Sequence, residues 1–583
     1  MSGSGAAGPS QTELDAIEQA RTSAAQAVIN SPSRKRLIVA GPGTGKSFAF
    51  QECLRACGDK GLALTFIRNL VADLAHDLDG LADVFTLHGF CKHQLHRNPV
   101  EGLQAGWDYY PHLLELLADD LHARGRSDVK KSDLERCLHN LEDDQGLVGE
   151  AMAIGEYYNA VSHTDLVFRV VRHFEANNSA IPELPLVVVD EYQDFSLLET
   201  TFIRLLSEKS PVLIAGDDDQ ALYAFKNASA RYIRDLAEDA TYEQFSLPYC
   251  SRCTQVIVHA VNAVIAAAKD SGHLEGRLDK PFECYLPSKL TESNAHPAII
   301  HARCTVERKN APYGGRYIAK QIAEIPPEDI QESRQAGYPT VLVIGPKPFL
   351  GQAYETLKKQ FPQAVLKVSP NQDVEILDGY RRIAKDNESR LGWRIVMHCD
   401  PLDNADEILV SALEAGSVIV AGLPEEYRDH HLALVGLVAQ LLAEETIDPE
   451  AQERLSAACG HSFTDIKREF DIEDGDEDGQ PHEDEPAEGE PTILCTSLVG
   501  AKGLSASHVF VVGFNDEHFP RDPSAITDEE ICCFLVALSR TRKQCHLISC
   551  ARLGNERRSA SRFADWIDRE LHKVRVDAKY LAA

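Results

Sequence analysis

No run of about 18 consecutive apolar residues occurs anywhere in the chain, so nothing in it reads as a membrane-spanning helix. The opening "MSGSGAAGPS" has neither the basic segment nor the apolar core of a secretion signal, and is expected to be a flexible tail on a cytoplasmic protein. Basic residues are in short supply. Against 90 Asp and Glu stand 59 Lys and Arg, a formal net charge of −31, which argues against coating nucleic acid with a broadly basic surface but leaves room for a narrow channel. Zinc ligands are missing as well: Cys250 and Cys253 form a lone CxxC with no second pair or histidines at ligand spacing. The 15 cysteines, odd in number and scattered through periodic segments, read as reduced thiols rather than a disulfide framework. Met and Trp number only three each, yet 44% hydrophobic and 26% charged residues are ordinary for a globular chain.

What is present is length and pattern. A chain of 583 residues exceeds what one core can organise, so several lobes are expected. Much of the acidic excess is local: "DIEDGDEDGQPHEDEPAEGEP", Asp471 to Pro491, can bury almost nothing and reads as a disordered linker.

"LIVAGPGTGKSFAF", Leu37 to Phe50, is an apolar strand running without a gap into a glycine-rich loop and then a helix. Gly41, Gly43 and Gly45, with Thr44 among them, let backbone N–H groups turn inward around a phosphate. Lys46 supplies a point charge for the β and γ groups of ATP, and Ser47 offers its hydroxyl to Mg²⁺. Ala40 stands where the first glycine of such a loop usually is. "LPLVVVDEYQDFS", Leu184 to Ser196, is a second apolar strand, ending in paired acids. Asp190 at its tip can hold Mg²⁺ through water while Glu191 polarises the attacking water, a division of labour that phosphoryl transfer needs.

The Asp-Glu-Tyr-Gln-Asp order resembles the UvrD/Rep/PcrA family of superfamily 1 DNA helicases, and further segments follow in that family's order from Ala40 to Arg542. "LALTFIRNLVADLAHDL" and "TLHGF" resemble segments that line a single-strand channel, which implies DNA contacts for Thr65, Phe66, Arg68, Asn69, Thr86 and His88. "VLIAGDDDQALYAFKNAS" is similar to the motif joining ATP to DNA. There Gln220 would read the γ-phosphate, Tyr223 and Phe225 would stack on bases, and Lys226 would meet a backbone phosphate. In "FSLPYCSRCTQVIVHAVNAVI" Arg252 aligns with an arginine that reaches the γ-phosphate, although Ser251 replaces the tyrosine that stacks on adenine. "ILCTSLVGAKGLSASHVFVVGF" carries Ala501 to Leu504, with Gly503 beside the nucleotide, but has Val499 and Ser505 where the family has His and Glu. "EEICCFLVALSRTRKQCHLIS" places Arg540 as an arginine finger. For the glutamine that reads adenine, Gln11, Gln19 and Gln26 remain alternatives.

The resemblance implies an α/β fold of two RecA-like P-loop lobes carrying a helical 1B insertion and a reduced 2B insertion. The expected division gives 1–88 and 165–238 to lobe 1A, 89–164 to 1B, 239–400 and 491–583 to lobe 2A, and 401–490 to 2B with the acidic linker at 471–490. It further implies an ATP- and Mg²⁺-dependent translocase or helicase moving 3′ to 5′ on single-stranded or 3′-tailed duplex DNA in repair or recombination, with a nuclease or repair factor as possible protein partner and no membrane. The alternative is a DNA-sensing ATPase switch within a multi-protein complex that unwinds little by itself.

Overall fold

The computed structural model describes residues 9–66, 68–98, 102–222, 228–367, 374–470 and 489–583. Tyr223, Phe225 and Lys226, the side chains of Arg68 and Asn69, and residues 471–488 of the acidic run lie outside what is described.

Two all-parallel sheets organise the chain. The first is built from β1 (Lys35–Val39), β2 (Gly61–Thr65), β3 (Ala82–Thr86), β4 (Val187–Val189), β5 (Val212–Gly216) and β6 (Glu243–Ser246), in the order β3-β2-β4-β5-β1-β6. Its central strands are apolar without interruption because both faces are covered. The period of two decides which side each residue serves. From β1, Ile38 joins the core beneath the helices Gln11–Asn30 and Lys46–Cys57, while Leu37 and Val39 join the opposite core with Phe90, Phe174 and Phe202.

The second sheet takes β7 (Ile299–Cys304), β8 (Val341–Ile344), β9 (Val365–Lys367), β10 (Ile493–Thr496), β11 (Ala506–Val511), β12 (Thr541–Cys550) and β13 (Leu571–Val576). Their order is β9-β10-β8-β11-β12-β7-β13. The helices Gln255–Asp270 and Asp528–Ser539 cover one face; Tyr313–Ala323 and Lys347–Lys358 cover the other. Again β11 splits its side chains, Val509 and Val511 to one core and Phe510 to the other. The α/β class implied by the resemblance is what the structure has, with parallel sheets.

The insertions form one helical body continuous with the first core. Helices Leu113–Ala123, Lys131–His139 and Leu147–Tyr158 pack together; Ala405–Ala415 and Arg390–Cys399 pack on them, Ile376–Lys385 packs on Arg390–Cys399, and Glu425–Leu442 on Ile376–Lys385. Ile376–Lys385 and Arg390–Cys399 fall before residue 400, within the stretch the sequence reading gave to the second lobe. Their amphipathic pattern announces helices but not which core they join. What ties them here is Arg394, whose Nε donates to buried Asp120 at 2.5 Å while the Tyr158 hydroxyl donates to the other carboxylate oxygen at 2.6 Å. Among the described residues no helix is long and apolar enough to cross a membrane.

Candidate nucleotide site and strand-binding face

Because β4, β5 and β1 lie side by side and run the same way, the segments leaving their C-terminal ends open onto one edge of the first sheet. From β1 comes the glycine loop. Gly43 and Gly45 adopt φ of 69° and 99°, which turns successive N–H groups inward and launches the helix Lys46–Cys57 directly from the loop. Close approach also demands glycine: a Cβ at position 41 would stand 2.7 Å from the Phe282 ring, and one at 43 would stand 2.4 Å from the Cβ of Arg252. The Thr44 hydroxyl donates to the Gly41 carbonyl at 2.8 Å and closes the turn. The Lys46 ammonium makes one long contact, 3.5 Å to the Ala40 carbonyl, and Ser47 beside it is half-buried.

From β4 come the acids. Glu191 is buried in the left-handed region at φ 55°, uncommon for a residue with a side chain, and its carboxylate accepts from Gln193 Nε2 at 2.5 Å. Burial, and then the neighbouring Glu191 charge, push the Asp190 carboxyl up to about 6. Glu191 is held below the usual range in spite of burial, because Lys502, Lys46, Gln193 and Arg540 all favour its ionised form. Two adjacent acids driven in opposite directions are suited to different roles.

From β5 comes Gln220, which bridges the two sheets. Its Nε2 donates to Asp217 at 2.7 Å and its Oε1 accepts from Arg540 Nη2 at 2.8 Å. Arg540 also donates to the carbonyls of Leu504 and Val536 and to Ser539 Oγ, each at 3.1 Å. Burial, reinforced by Arg252, pushes its pKa down to about 9. Gly503, at φ 83°, follows Lys502, whose ammonium sits 2.5 Å from Asp194 and donates to the Gln220 carbonyl at 2.5 Å. Arg252 is seated against the loop, the N–H of Ser251 donating to the Gly43 carbonyl at 2.9 Å, and it meets no carboxylate among the described residues. Glu191 and Asp190 share the seam with Lys46 and Arg540, while Arg252 has no such counterpart among the described residues, so cationic groups remain to face a polyphosphate; Ser47 and Asp190 are the residues that would hold a divalent cation there.

A cavity of about 300 Å³ adjoins the loop. Of the three candidate glutamines only Gln26 lines it, together with Arg21, Thr44, Phe48 and Tyr249. Gln11 and Gln19 lie outside it; Gln26, like them exposed, also accepts from Asn30 on its own helix at 3.3 Å, so its position against the cavity is what sets it apart. Sequence reasoning missed Phe48 and Tyr249. An aromatic residue was sought immediately before Arg252, whereas the ring that reaches the cavity stands three positions before it. The signal for Phe48 was available: an apolar ring in the first turn of the loop helix, 52% exposed.

The residues expected to touch DNA are placed unevenly. Phe66 is half-buried, tilted against Phe195 with ring centres 5.8 Å apart. His88 stacks on His163 at 3.7 Å. The Thr86 hydroxyl caps the helix Leu87–Arg97, accepting from Gly89 N–H at 3.0 Å. Thr65 is fully buried, which leaves it no surface for a strand in this conformation. Farther along that helix a cleft of about 790 Å³ separates it from Ile376–Lys385, and two cations lie over rings along its walls, Lys92 on Tyr109 at 4.6 Å and Arg390 on Tyr157 at 4.4 Å, while the carboxylates Asp108, Glu156, Asp378, Asp386 and Glu388 line it too, Asp108 paired with Arg382 at 2.5 Å. Paired charge and aromatic surface is what single-strand binding uses. Its two walls are more than 200 residues apart in sequence, so no local pattern announces it.

Comparison with known proteins finds DNA helicases among those this chain is similar to. Residues 150–241, which include Asp190, Glu191 and Gln220, match the UvrD/REP helicase N-terminal domain. The ATP-dependent DNA helicase UvrD1 of Mycobacterium tuberculosis is 28% identical over 312 residues, 43% of this chain and 40% of that protein. The ATP-dependent DNA helicase PcrA of Leuconostoc citreum is 24% identical over 406 residues, 59% of this chain and 50% of its own length. DNA helicase II of Haemophilus influenzae is 30% identical over 115 residues, 19% and 16% of the two chains. The chain thus spans half or less of the length of these relatives. Its likeness to UvrD- and PcrA-type helicases, read first from the motif order, stands on these matches as well.

Proposed function

We propose that this UvrD- and PcrA-like chain is an ATP-driven DNA translocase or helicase that moves 3′ to 5′ along a single strand, in DNA repair or recombination. The observation that carries the reading is the meeting of Lys46, Glu191, Gln220 and Arg540 at one seam between the two sheets. Lys46, Arg252 and Arg540 neutralise the phosphates of ATP. Ser47 and Asp190 would hold Mg²⁺, which when bound would supply further charge neutralisation at the phosphate oxygens. Glu191, kept ionised, takes the proton of the attacking water, and Gln220 reports the state of the terminal phosphate to both lobes. Because Arg540 belongs to the second lobe and Gln220 to the first, a triphosphate between them favours closure and its hydrolysis releases it. Phe66, the stacked His88 and the rings and cations of the cleft give a strand surfaces on which to be gripped alternately, with Tyr223 and Phe225 assigned the same task by resemblance. A nuclease or repair factor is the expected protein partner.

The test is ATP hydrolysis by the full chain with and without single-stranded DNA, with Lys46→Ala as the blank, followed by strand displacement on 3′-tailed and 5′-tailed duplexes. The expected result is stimulation of at least about tenfold and displacement from the 3′ tail alone. Hydrolysis indifferent to DNA would overturn the translocase and leave the DNA-independent part of the alternative, a nucleotide switch. Strong stimulation without displacement would leave a translocase that does not unwind.

A further inference from the structure

Just beyond β5 three acids follow one another, Asp217, Asp218 and Asp219, all buried and with carboxylate oxygens close enough together to surround a cation. The cation at their centre is the ammonium of Lys280: its Nζ lies 3.0 Å from Asp217, 2.5 Å from Asp218 and 2.9 Å from Asp219. Two guanidiniums complete the balance. Arg277 grips Asp219 through Nε at 2.8 Å and Nη2 at 2.9 Å, and Arg234 Nε donates to Asp218 at 3.1 Å. Three buried carboxylates are thus met by three cations, and a metal ion would have to displace the lysine.

Lys280 and Arg277 do not come from the first lobe's own sequence. The chain has already entered the second lobe through the helix Gln255–Asp270, then returns over residues 274–280, tucking Leu278 against the first core and donating its N–H to Asp218 at 2.9 Å. Asp217 is the node of the arrangement. One of its oxygens takes Lys280, the other accepts from Gln220 Nε2, and its N–H donates to Gln193 Oε1 at 2.9 Å, while Gln193 holds Glu191. A continuous chain of contacts therefore runs from Lys280 through Asp217 to Gln220 and Arg540 on one branch, and to Gln193 and Glu191 on the other.

We infer that Lys280 is a positioning residue for ATP hydrolysis: it fixes Asp217, and through it orients Gln220 against Arg540, without touching a reacting atom. The inference rests on the role proposed above for Gln220. Without the ammonium, three adjacent carboxylates face only two cations, and Asp217 keeps only the Asp219 N–H, at 3.1 Å, on the oxygen opposite the one Gln220 finds.

Two variants test it: Lys280→Met, and the charge-balanced double variant Lys280→Met with Asp218→Asn, which leaves two carboxylates for two guanidiniums and keeps the fold if the single variant does not. Two readouts separate the questions. The first is backbone hydrogen exchange over residues 214–222 in the absence of nucleotide, expected to quicken at least tenfold in the double variant while β8 and β11 stay protected. Unchanged exchange there overturns the positioning role whatever the enzyme does. The second is steady-state ATP hydrolysis with ADP affinity measured alongside. We expect kcat to fall at least tenfold with the ADP dissociation constant within twofold, and Lys280→Met to cost nothing further on an Asp217→Asn background. Additive losses, or a fall in ADP affinity as large as the fall in kcat, overturn the inference. A wild-type chain that hydrolyses no ATP sinks the proposed function alone, and the exchange readout then decides the positioning role.

Discussion

Replacing Arg540 by methionine removes a charge while keeping much of the side chain's bulk, and the structure sets separate expectations for stability and for catalysis. The guanidinium is 2% exposed, and burial first, with Arg252 second, pushes its pKa from 12.5 down to about 9. At 1.36 kcal/mol for each tenfold change in the protonation equilibrium, that is about 5 kcal/mol working against the charged form. Its hydrogen bonds to Gln220, Leu504, Val536 and Ser539 offset about 1 kcal/mol each. The two nearly cancel, so Arg540→Met should change the unfolding free energy of the nucleotide-free protein by no more than about 2 kcal/mol. Catalysis is a different matter. An arginine that neutralises charge on a transferring phosphoryl group is worth about 10³–10⁵ in rate, and kcat for ATP hydrolysis should fall at least about 10³-fold. A coupled ATPase assay and urea unfolding of the same preparation read both numbers. A folded variant that loses less than about tenfold in kcat refutes the finger. A variant destabilised by more than about 5 kcal/mol would make Arg540 a structural residue instead.

Glu191→Gln removes the proton acceptor but keeps the hydrogen bond from Gln193, so kcat should drop by about 10²–10⁴ while fluorescent-nucleotide titration finds affinity nearly unchanged; equal losses in both would assign Glu191 to binding. Phe48→Ala costs little stability because the ring is already half in solvent, but it strips one wall of the cavity beside the loop. The KM for ATP should rise about tenfold at constant kcat, and an unchanged KM would remove Phe48 from the nucleotide site. His546 is buried between Phe510 and Tyr317, and burial pushes its pKa from 6.5 down to about 3. As pH falls below 6.5 the unfolded chain takes a proton that the folded chain refuses, so stability present above 6.5 is lost on the way down, by about 2 kcal/mol at pH 5. His546→Gln, which keeps a partner for the Tyr317 hydroxyl, should shrink the difference between urea midpoints at pH 7.5 and pH 5 by that amount; an unaltered pH dependence would contradict the sign.

What was legible in the sequence was local. A buried strand followed by GPGTGKS, or by Asp190 and Glu191, declares its loop chemistry within about a dozen residues, because strand, turn and helix are contiguous in the chain. The order of such segments carried the two-sheet plan. Contacts made only by docking were not legible. Nothing around Lys280 signals a partner sixty residues upstream, and the apolar pattern of Arg390–Cys399 does not say that Arg394 will meet Asp120. That Gln26, and neither Gln11 nor Gln19, lines the cavity beside the loop likewise waited on where the first helix lies. Thr65 shows the converse error. It falls at a motif position associated with DNA contact, yet as the last residue of a central strand it is covered on both sides.

The contacts across the seam differ sharply in strength, and that difference predicts where it opens. On the Arg540 side the seam is held by one hydrogen bond to the neutral Gln220 amide, worth about 1 kcal/mol, and by Lys502, which pairs with Asp194 at 2.5 Å and donates to the Gln220 carbonyl; a triphosphate arriving there competes directly for the guanidinium. Lys280 and Arg277 meet three buried carboxylates, and parting them would strand charges at about 3–5 kcal/mol for each broken pair. A nucleotide-driven motion follows the cheaper route, rotating about the Asp217–Asp219 latch while the Arg540 side opens and closes. Cysteines replacing Asp219 and Arg277 would disturb the latch itself, so the fitting probe is a pair of spin labels on exposed positions at each end of the seam. Distances near the latch should stay fixed between the nucleotide-free and ATP-analogue states, and those near Arg540 should shift. Equal displacement at both ends would mean that the lobes part as rigid blocks and that the triad is no pivot.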